Sequence, residues 1–322
     1  MRHIEQVTVF GGSGFIGRQI ARALAHQGYR VKIASRRPEL ADSVRTAGDV
    51  GQVMLVRANL RMSDSVIAAV AGSQAVINAA GIPFERGKQR YQDVHVMGSW
   101  AIAEASSAAG VQRLIHISGI GADDRVSKNR FVRSKVEAES SVVRAFPNAT
   151  ILRPSVVFGP EDSFFNKLAK IAALAPVVPL VGDGSAKLQP VYVGDVARAA
   201  VAALERPETA RNVFELGGPR VYTYRQLVEL TLKEIDRKKP LLPMPAGLMK
   251  LLGFFAEFQP ALLGPPPITR DQADLLTRDN VVHAGARGLA DLCIKSTSAE
   301  AILPTYMDRF RPAGRYNQHA PA

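Results

Sequence analysis

The sequence predicts an α/β fold: a doubly wound parallel sheet covered by helices, with a smaller C-terminal lobe. Short apolar segments alternate with amphipathic helical segments through the first half of the chain. The apolar segments are continuous rather than alternating, which is typical of strands buried on both faces. A glycine-rich turn joins the first apolar segment to the first helical one, where doubly wound folds place a ligand-binding loop.

The order of the elements follows from periodicity and from turn residues. We expect strands over 6–10, 30–35, 53–57, 75–78, 114–118 and 150–152. We expect helices over 15–27, 63–71, 94–109 and 131–145, and a short helix between the second and third strands. In the first helix Ile16, Ile20 and Leu24 recur at every fourth position and form one apolar stripe. Right-handed crossovers would place a ligand at the carboxyl ends of these strands.

The second half of the chain loses this regular alternation. Helices are expected over 164–174, 195–204 and 225–235, and short strands over 191–193 and 213–216. We therefore divide the chain into a dinucleotide-binding core (1–155), a smaller lobe over the cofactor cleft that also contributes to the core (156–308), and a flexible basic tail (309–322). Asp195 fits a helix N-cap, and Cys293 fits a buried apolar position.

Residues 240–267 form an apolar, proline-rich segment within the lobe. Leucine, methionine and phenylalanine dominate its centre, where Lys250 and Glu257 are the charged residues. The segment is too short and too charged to span a bilayer. Two alternatives remain open: a helix packed in the lobe, or a surface that docks on a membrane or on a protein partner.

The composition indicates a globular protein with a basic surface. Of 322 residues 47% are hydrophobic and 22% charged, and the net charge is +12. This charge suits an anionic ligand, an anionic membrane surface or an acidic protein; without a nucleic-acid-binding motif, we expect no nucleic acid partner. The single cysteine excludes a disulfide framework within one chain, which suits a cytoplasmic protein. The six histidines lack metal-ligand spacing, so we expect no metal.

The glycine-rich turn has the spacing of a phosphate-binding loop. Its sequence is Gly11-Gly12-Ser13-Gly14-Phe15-Ile16-Gly17. Gly11 permits the tight turn, Gly14 lets backbone N–H groups approach a pyrophosphate, and Gly17 lets the helix pack closely on the strand. The free N–H groups and the positive dipole end of the helix favour phosphate there. We therefore predict that this turn binds a dinucleotide.

The residues after the second strand indicate which dinucleotide binds. An acidic residue about 20 positions beyond the glycines would bind the ribose 2′-hydroxyl of NAD. This chain has Ser35, Arg36 and Arg37 there, and guanidinium groups pair bidentately with phosphate oxygens. We therefore predict NADP(H) over NAD(H). Further cofactor contacts are expected from residues that follow the third and fourth strands: Asn59, Leu60, Ala79, Ala80 and Gly81.

Two further motifs accompany the glycine-rich turn. They are Asn78-Ala79-Ala80-Gly81 and Arg153-Pro154-Ser155-Val156-Val157-Phe158-Gly159-Pro160. Over roughly residues 4–235, the chain resembles the extended short-chain dehydrogenase/reductase family, which includes nucleotide-sugar epimerases and dehydratases on a Rossmann fold. The resemblance implies cofactor contacts from Pro154, Ser155, Val156 and Val157.

The resemblance also implies a catalytic serine and a Tyr-x-x-x-Lys helix motif, both of which contact cofactor or substrate. This chain has Ser118 and Lys135, but Phe131 stands at the tyrosine position. Phenylalanine has no proton to donate, and loss of a general acid/base costs on the order of 10²–10⁴ in rate. His95 or His116 could supply the proton instead, although His116 falls within a strand. The catalytic site is therefore degenerate while the cofactor site is intact.

This combination resembles a branch that comprises the nucleotide-binding accessory subunits of respiratory complex I (NADH:ubiquinone oxidoreductase) and their bacterial relatives. The resemblance implies a subunit that holds NADPH without turning it over. It would dock on the peripheral arm of the complex or on another membrane-associated protein, at the cytoplasmic face of a bacterial inner membrane. The alternatives are an NADPH-dependent oxidoreductase or epimerase with an altered acid/base, and a regulator that senses NADPH.

Overall fold

The computed structural model describes residues 4–257, 266, 268–312 and 314. Part of the apolar segment (258–265 and 267) and most of the predicted tail (313 and 315–322) lie outside the described residues. The first six strands are β1 Gln6–Phe10, β2 Arg30–Ser35, β3 Val53–Arg57, β4 Ala75–Asn78, β5 Arg113–Ile117 and β6 Thr150–Pro154. Those that follow are β7 Val157–Phe158, β8 Val178–Val181, β9 Lys187–Leu188, β10 Val191–Tyr192, β11 Val213–Leu216, β12 Tyr222–Thr223 and β13 Leu241–Met244.

The helices alternate with these strands through the first half of the chain. They are α1 Phe15–His26, α2 Asp42–Arg45, α3 Ser63–Val70, α4 Gly98–Ala108, α5 Arg130–Ala145, α6 Phe165–Leu174, α7 Val193–Glu205, α8 Tyr224–Glu234, α9 Ala246–Glu257, α10 Arg270–Leu275, α11 Ala299–Ile302 and α12 Pro304–Met307. A π-helix, Gln92–Met97, leads directly into α4.

The first compact unit is built around a parallel sheet. It comprises Met1–Pro154, Val193–Leu216 and His283–Lys295. Seven strands of the described residues form the sheet in the order β11-β6-β5-β4-β1-β2-β3, and each neighbouring pair is parallel. From β1 the strands are added to one side as β2 and β3, and from β4 onward they are added to the other side. This switch between β1 and β4 opens a crevice at the carboxyl ends of the strands. The predicted doubly wound fold is confirmed.

Three sequence-based expectations about local structure are corrected. The expected regular helix over 94–109 begins with the wider turns of the π-helix. Asp195 is not a cap, because α7 begins at Val193 and places the fully buried Asp195 carboxylate in its first turn, 2.6 Å from Arg198 Nη2. Cys293 is exposed rather than buried, in a left-handed turn where its Sγ accepts a hydrogen bond from Arg206.

The second compact unit comprises Ser155–Tyr192, Gly217–Val282 and Ser296–Ala322. Its core forms where the apolar faces of α6 and α8 meet, around Phe158, Phe165 and Leu227. Burial of such large apolar side chains is the main stabilising contribution to a unit of this size. Short two-stranded pairings, such as β8 with β13, complete it.

Strand β13 and helix α9 form most of the described part of the apolar segment. One side of α9 packs on α10, where a Cβ at Gly253 would lie 2.7 Å from the Thr269 carbonyl carbon. The other side leaves Leu248, Leu251, Leu252 and Phe255 exposed, Phe255 to 64%. The helix is therefore packed within its unit, as one alternative expected, and it also presents an apolar face. Docking of that face on a membrane or a protein stays a prediction. In the described part of the chain, no helix has the length and apolar character needed to cross a membrane.

Candidate nucleotide-binding site

The turn between β1 and α1 is held by short backbone contacts. Gly11 has a φ of +74°, a left-handed conformation that glycine adopts without strain. Its N–H donates to the Ala34 carbonyl oxygen (3.0 Å), and the Gly14 N–H donates to the Gly11 carbonyl oxygen (2.9 Å). A Cβ on Gly17 would lie 2.2 Å from that carbonyl oxygen. Helix α1 therefore begins tightly against the end of β1, beside the glycine turn.

A cavity of about 560 Å³ opens beside this turn, which is within the usual range for a small-molecule site. The predicted residues in its lining come from four strand ends: Gly11, Ser13, Gly14, Ser35, Arg36, Arg37, Asn59, Leu60, Ala79, Ala80 and Gly81. Four other predicted residues belong to the turn and α1 but not to the described lining: Gly12, Phe15, Ile16 and Gly17. The cavity thus follows the carboxyl edge of β1, β2, β3 and β4.

Two buried hydroxyl groups among the predicted site residues are unsatisfied, and one of them lies in the cavity lining. Ser35 Oγ, at the end of β2, finds no hydrogen-bond partner among the described residues, and neither does Ser118 Oγ, beyond the end of β5. An unsatisfied buried hydroxyl costs free energy unless a ligand or water meets it. Ser35 lines the cavity beside Arg36 and Arg37. The residues present therefore fit a phosphorylated nucleotide.

Positive charge gathers at the end of the cavity formed by β2 and β3. Besides Arg36 and Arg37, the lining contains Arg61 and Lys88. Sequence reasoning missed both. Arg61 follows the predicted Asn59 by two positions, which is a weak signal, whereas Lys88 lies in a loop that carries no pattern at all. These cations suit a ligand with phosphate at this end.

The loop after β4 is shaped by the Asn78 side chain, which is buried. Its Oδ1 accepts the Ala80 N–H (3.1 Å), so the amide orientation is fixed. Its Nδ2 donates to Ser99 Oγ (2.9 Å) and to His116 Nδ1 (3.1 Å). Small residues then let the backbone approach a ligand at positions 79–81.

Helix α5 carries the degenerate catalytic motif. Asn129 caps it, since its Oδ1 accepts from the backbone N–H groups of Phe131 (3.1 Å) and Val132 (3.2 Å). The Phe131 ring packs edge-on against Tyr91 and His95, with ring centroids 5.7 and 5.6 Å apart. The tyrosine position is therefore filled by an apolar ring inside an aromatic cluster.

Lys135 lies one turn further along α5 and approaches the cavity. A Cβ on Gly81, which lines the cavity, would lie 3.8 Å from Lys135 Nζ. The same Nζ is 5.8 Å from the centroid of the Phe131 ring. Burial lowers the pKa of Lys135 to about 8, although the nearby Glu139 charge opposes that shift. Lys135 Nζ therefore lies beside Gly81, which lines the cavity, and its contact with a nucleotide stays a prediction.

The contacts and burial of His95 and His116 do not favour either ring as a proton donor in place of the tyrosine. His95 Nε2 accepts the Ile82 N–H (3.0 Å), and its Nδ1 lies 2.8 Å from Ser134 Oγ, which itself donates to the Phe131 carbonyl oxygen. Both ring nitrogens of His95 are thus engaged. Burial, with a smaller contribution from the Lys135 charge, lowers the pKa of His95 to about 2 and that of His116 to about 3. Both rings are therefore neutral at physiological pH, and Nε2 of His116 has no hydrogen-bond partner among the described residues.

Comparison with known proteins identifies the family. Residues 7–217 match the NAD dependent epimerase/dehydratase family. The alpha subcomplex subunit 9 of mitochondrial NADH dehydrogenase (ubiquinone) 1 from Mus musculus is 34% identical over 91% of this chain and 77% of its own length. The protein of that name from Dictyostelium discoideum is 30% identical over 96% of this chain and 86% of its own length. The chain belongs to this family and to its subunit 9 branch.

The fold agrees with solved structures. Citrobacter sp. triphenylmethane reductase complexed with NADP(H) gives a TM-score of 0.72 at 15% identity, covering 94% of this chain and 99% of that one. This likeness concerns the fold alone. The sequence-based prediction of an epimerase/dehydratase-type protein from the complex I subunit branch is confirmed, and so is a nicotinamide dinucleotide as the class of cofactor. The preference for NADP(H) stays a prediction.

The remaining predicted cofactor residues of this family member lie around the end of β6. Pro154 is the last residue of that strand. Ser155, Val156 and Val157 belong to the second unit, where Ser155 Oγ donates to the Asn280 carbonyl oxygen (2.9 Å). Their contacts with a nucleotide stay a prediction.

The fold also assembles a cluster that sequence spacing did not indicate. Ligand atoms of Asp123, Glu215 and His283 lie within 4.8 Å of one another. Arg153 Nη1 lies 3.6 Å from Glu215 Oε1 and 4.0 Å from Asp123 Oδ2, and its Nη2 is 2.7 Å from Glu139 Oε2. A guanidinium group therefore already balances these carboxylates, as a bound cation would.

Proposed function

We propose that this protein is an NADP(H)-holding accessory subunit of respiratory complex I that does not turn the nucleotide over. The observation that carries the proposal is its membership of the subunit 9 branch, with relatives at 30% and 34% identity over most of the chain. We propose a location at the cytoplasmic face of a bacterial inner membrane, held there by the complex.

The cavity chemistry supports NADP(H) as the bound form. Arg36 and Arg37 occupy the position at which an acidic residue would select NAD, and Ser35 offers an unsatisfied hydroxyl beside them. A nucleotide that binds only the folded state also stabilises it, by an amount that grows with its concentration. Holding the nucleotide can thus be a structural role.

The helix α5 chemistry supports the absence of turnover. A bound nucleotide would supply a hydride, but reduction of a carbonyl also needs a proton at the new hydroxyl oxygen. Phe131 cannot provide that proton, and the hydrogen bonds of His95 engage both of its nitrogens. Ser118 and Lys135 can position a ligand without completing the reaction.

The exposed face of α9 is our candidate for docking on the complex. It presents contiguous apolar side chains, and residues 237–239 just before β13 are Arg, Lys and Lys. An apolar face preceded in the chain by basic residues suits an acidic protein surface, and it also suits anionic lipid. We commit to the protein surface and make lipid an outcome of the test.

The test uses the protein tagged at its own chromosomal locus. Membranes are solubilised and run on a native gel that is stained for NADH dehydrogenase activity and probed for the tag. We expect the tag to co-migrate with the active complex. The double substitution Leu251→Asp and Phe255→Asp should abolish co-migration, whereas Val50→Asp, at a fully exposed apolar position, should not.

Two results would overturn parts of this proposal. A tagged protein that migrates alone argues against the subunit assignment itself. Sedimentation of the purified protein with phosphatidylglycerol vesicles, abolished by the α9 substitutions, would identify lipid rather than protein as the partner of that face.

The cofactor preference has its own test. Replacing both Arg36 and Arg37 with alanine should weaken NADPH binding by about 100-fold, which is the size expected for two charge-assisted hydrogen bonds. NADH binding should change little. Equal weakening of both nucleotides would refute a 2′-phosphate site.

A second candidate function is an NADPH-dependent reductase that takes its proton from elsewhere. The unsatisfied Ser118 hydroxyl and the lowered pKa of Lys135 favour it. A carbonyl substrate that oxidises NADPH with the wild-type protein, and fails to do so with Lys135→Ala, would establish it over the non-catalytic role.

A further inference from the structure

The loop after β4 lines the cavity and contacts two of its arginine residues. Nucleotide binding by itself does not account for these contacts. Residues 82–90, here called the strap, form a tight hairpin at the tip: the backbone N–H groups of Arg86 and Gln89 each donate to the other's carbonyl oxygen at 3.0 Å. Gly87 adopts a φ of +55° in the turn. The strap is thus an ordered element with a defined tip.

The tip contacts cations that line the cavity. Arg36 Nη2 donates to Gln89 Oε1 (3.1 Å), and Arg61 Nη1 donates to the Lys88 carbonyl oxygen (3.4 Å). Lys88 and Gln89 line the same cavity. The strap therefore fixes the direction of two guanidinium groups that come from the ends of different strands.

The base of the strap is anchored to the helices beside α5 and to α5 itself. The Ile82 N–H donates to His95 Nε2 (3.0 Å), and the Tyr91 N–H donates to Glu85 Oε1 (2.8 Å). Arg130, at the start of α5, pairs with Glu85 Oε2. These partners hold the base in place, so the tip cannot drift without breaking several contacts.

Building on the proposed NADP(H) function, we propose that the strap is a specificity element for a phosphate monoester on the adenosine ribose. Gln89 is its positioning residue. Arginine can donate from five N–H groups in a planar fork, so Arg36 can keep its bond to Gln89 and still present N–H groups to a phosphate. Holding the fork in advance reduces the ordering entropy that binding would otherwise cost.

The test compares nucleotides with and without the 2′-phosphate by titration calorimetry. The probes are NADPH with NADH, and 2′,5′-ADP with ADP. Gln89→Ala should weaken the binding of NADPH and of 2′,5′-ADP by about three- to tenfold, the size of one modest hydrogen bond. The affinities for NADH and ADP should change by less than about twofold. Gln89→Glu should weaken NADPH further, because its carboxylate repels the phosphate. The matched control Gln92→Ala, an exposed glutamine three positions on, should leave all four affinities unchanged.

A double-mutant cycle separates positioning from a general effect on folding. In an Arg36→Ala background, Gln89→Ala should have no further effect on NADPH. Equal weakening of NADPH and NADH by Gln89→Ala, or a full effect in that background, would overturn the strap proposal. If the strap proposal fails in this way but Arg36→Ala still weakens NADPH binding more than NADH binding, the proposed cofactor preference stands. If Arg36→Ala weakens both nucleotides equally, both proposals are refuted.

Discussion

Acidification should destabilise this protein through two buried histidines, and the size of the effect follows from the structure. His95 and His116 are 2% and 1% exposed. Each accepts a hydrogen bond that a proton would abolish: His95 Nε2 from the Ile82 N–H, and His116 Nδ1 from Asn78 Nδ2. Burial is the main cause that lowers their pKa values to about 2 and about 3.

The sign follows from linkage. The folded pKa values lie below the unfolded value of about 6.5, so the unfolded state binds more protons as the pH falls. The histidines' contribution to stability is fully present above about pH 6.5 and declines below it. When the pH falls from about 7.5 to about 5, the last ~1.5 pH units lie below the unfolded pKa. Over that interval each histidine lowers the free energy of unfolding by about 1.36 kcal/mol per pH unit. Each histidine should therefore lower the free energy of unfolding by about 2 kcal/mol, and both together by about 4 kcal/mol.

The assay is urea denaturation followed by circular dichroism at the two pH values. The variants His95→Gln and His116→Asn should each reduce the pH-dependent loss by about 2 kcal/mol, even if they lower stability at neutral pH. His26→Gln, which changes an exposed residue at the end of α1, is the matched control and should leave the loss unchanged. Single variants with the pH dependence of the wild type would refute the assignment of acid sensitivity to these rings.

Two further predictions follow from packing. Gly17→Ala should abolish nucleotide binding and destabilise the fold by several kcal/mol, because its Cβ would lie 2.2 Å from the Gly11 carbonyl oxygen. The control Gly247→Ala has open space around its Cβ and should be neutral or stabilising by up to ~1 kcal/mol. Thermal melts and binding calorimetry compare the two variants, and equal stabilities and nucleotide affinities would contradict this packing account. Arg113→Gln should lower the free energy of unfolding by about 3–5 kcal/mol. The buried guanidinium donates to the carbonyl oxygens of Ala203 and Arg206 and to the Thr209 hydroxyl, which would lose their donor. A decrease under about 1 kcal/mol in urea denaturation would show that water satisfies these acceptors instead.

The sequence by itself determined the elements whose signals are local. The strand, glycine turn and helix at positions 6–26 depend on residue types within a few positions of one another, and β1 and β2 have the predicted bounds. Arg36 and Arg37 were identified because the end of the second strand has a fixed distance from the turn. The phenylalanine at position 131 was visible in the same way.

Only the tertiary structure decided which distant residues meet. Gln89 meets Arg36, and Arg61 meets the Lys88 carbonyl oxygen, across loops that are distant in sequence. No periodicity in the sequence indicates that these residues line one cavity. His95 lies within the π-helix, and its ring nitrogens are engaged by Ile82 and Ser134, which are distant in sequence. The Asp195 prediction failed because α7 begins two residues earlier than expected, and the Cys293 prediction failed because burial depends on neighbours from elsewhere in the chain. Local chemistry sets the backbone pattern, whereas long-range packing assigns each side chain its partner and hence its role.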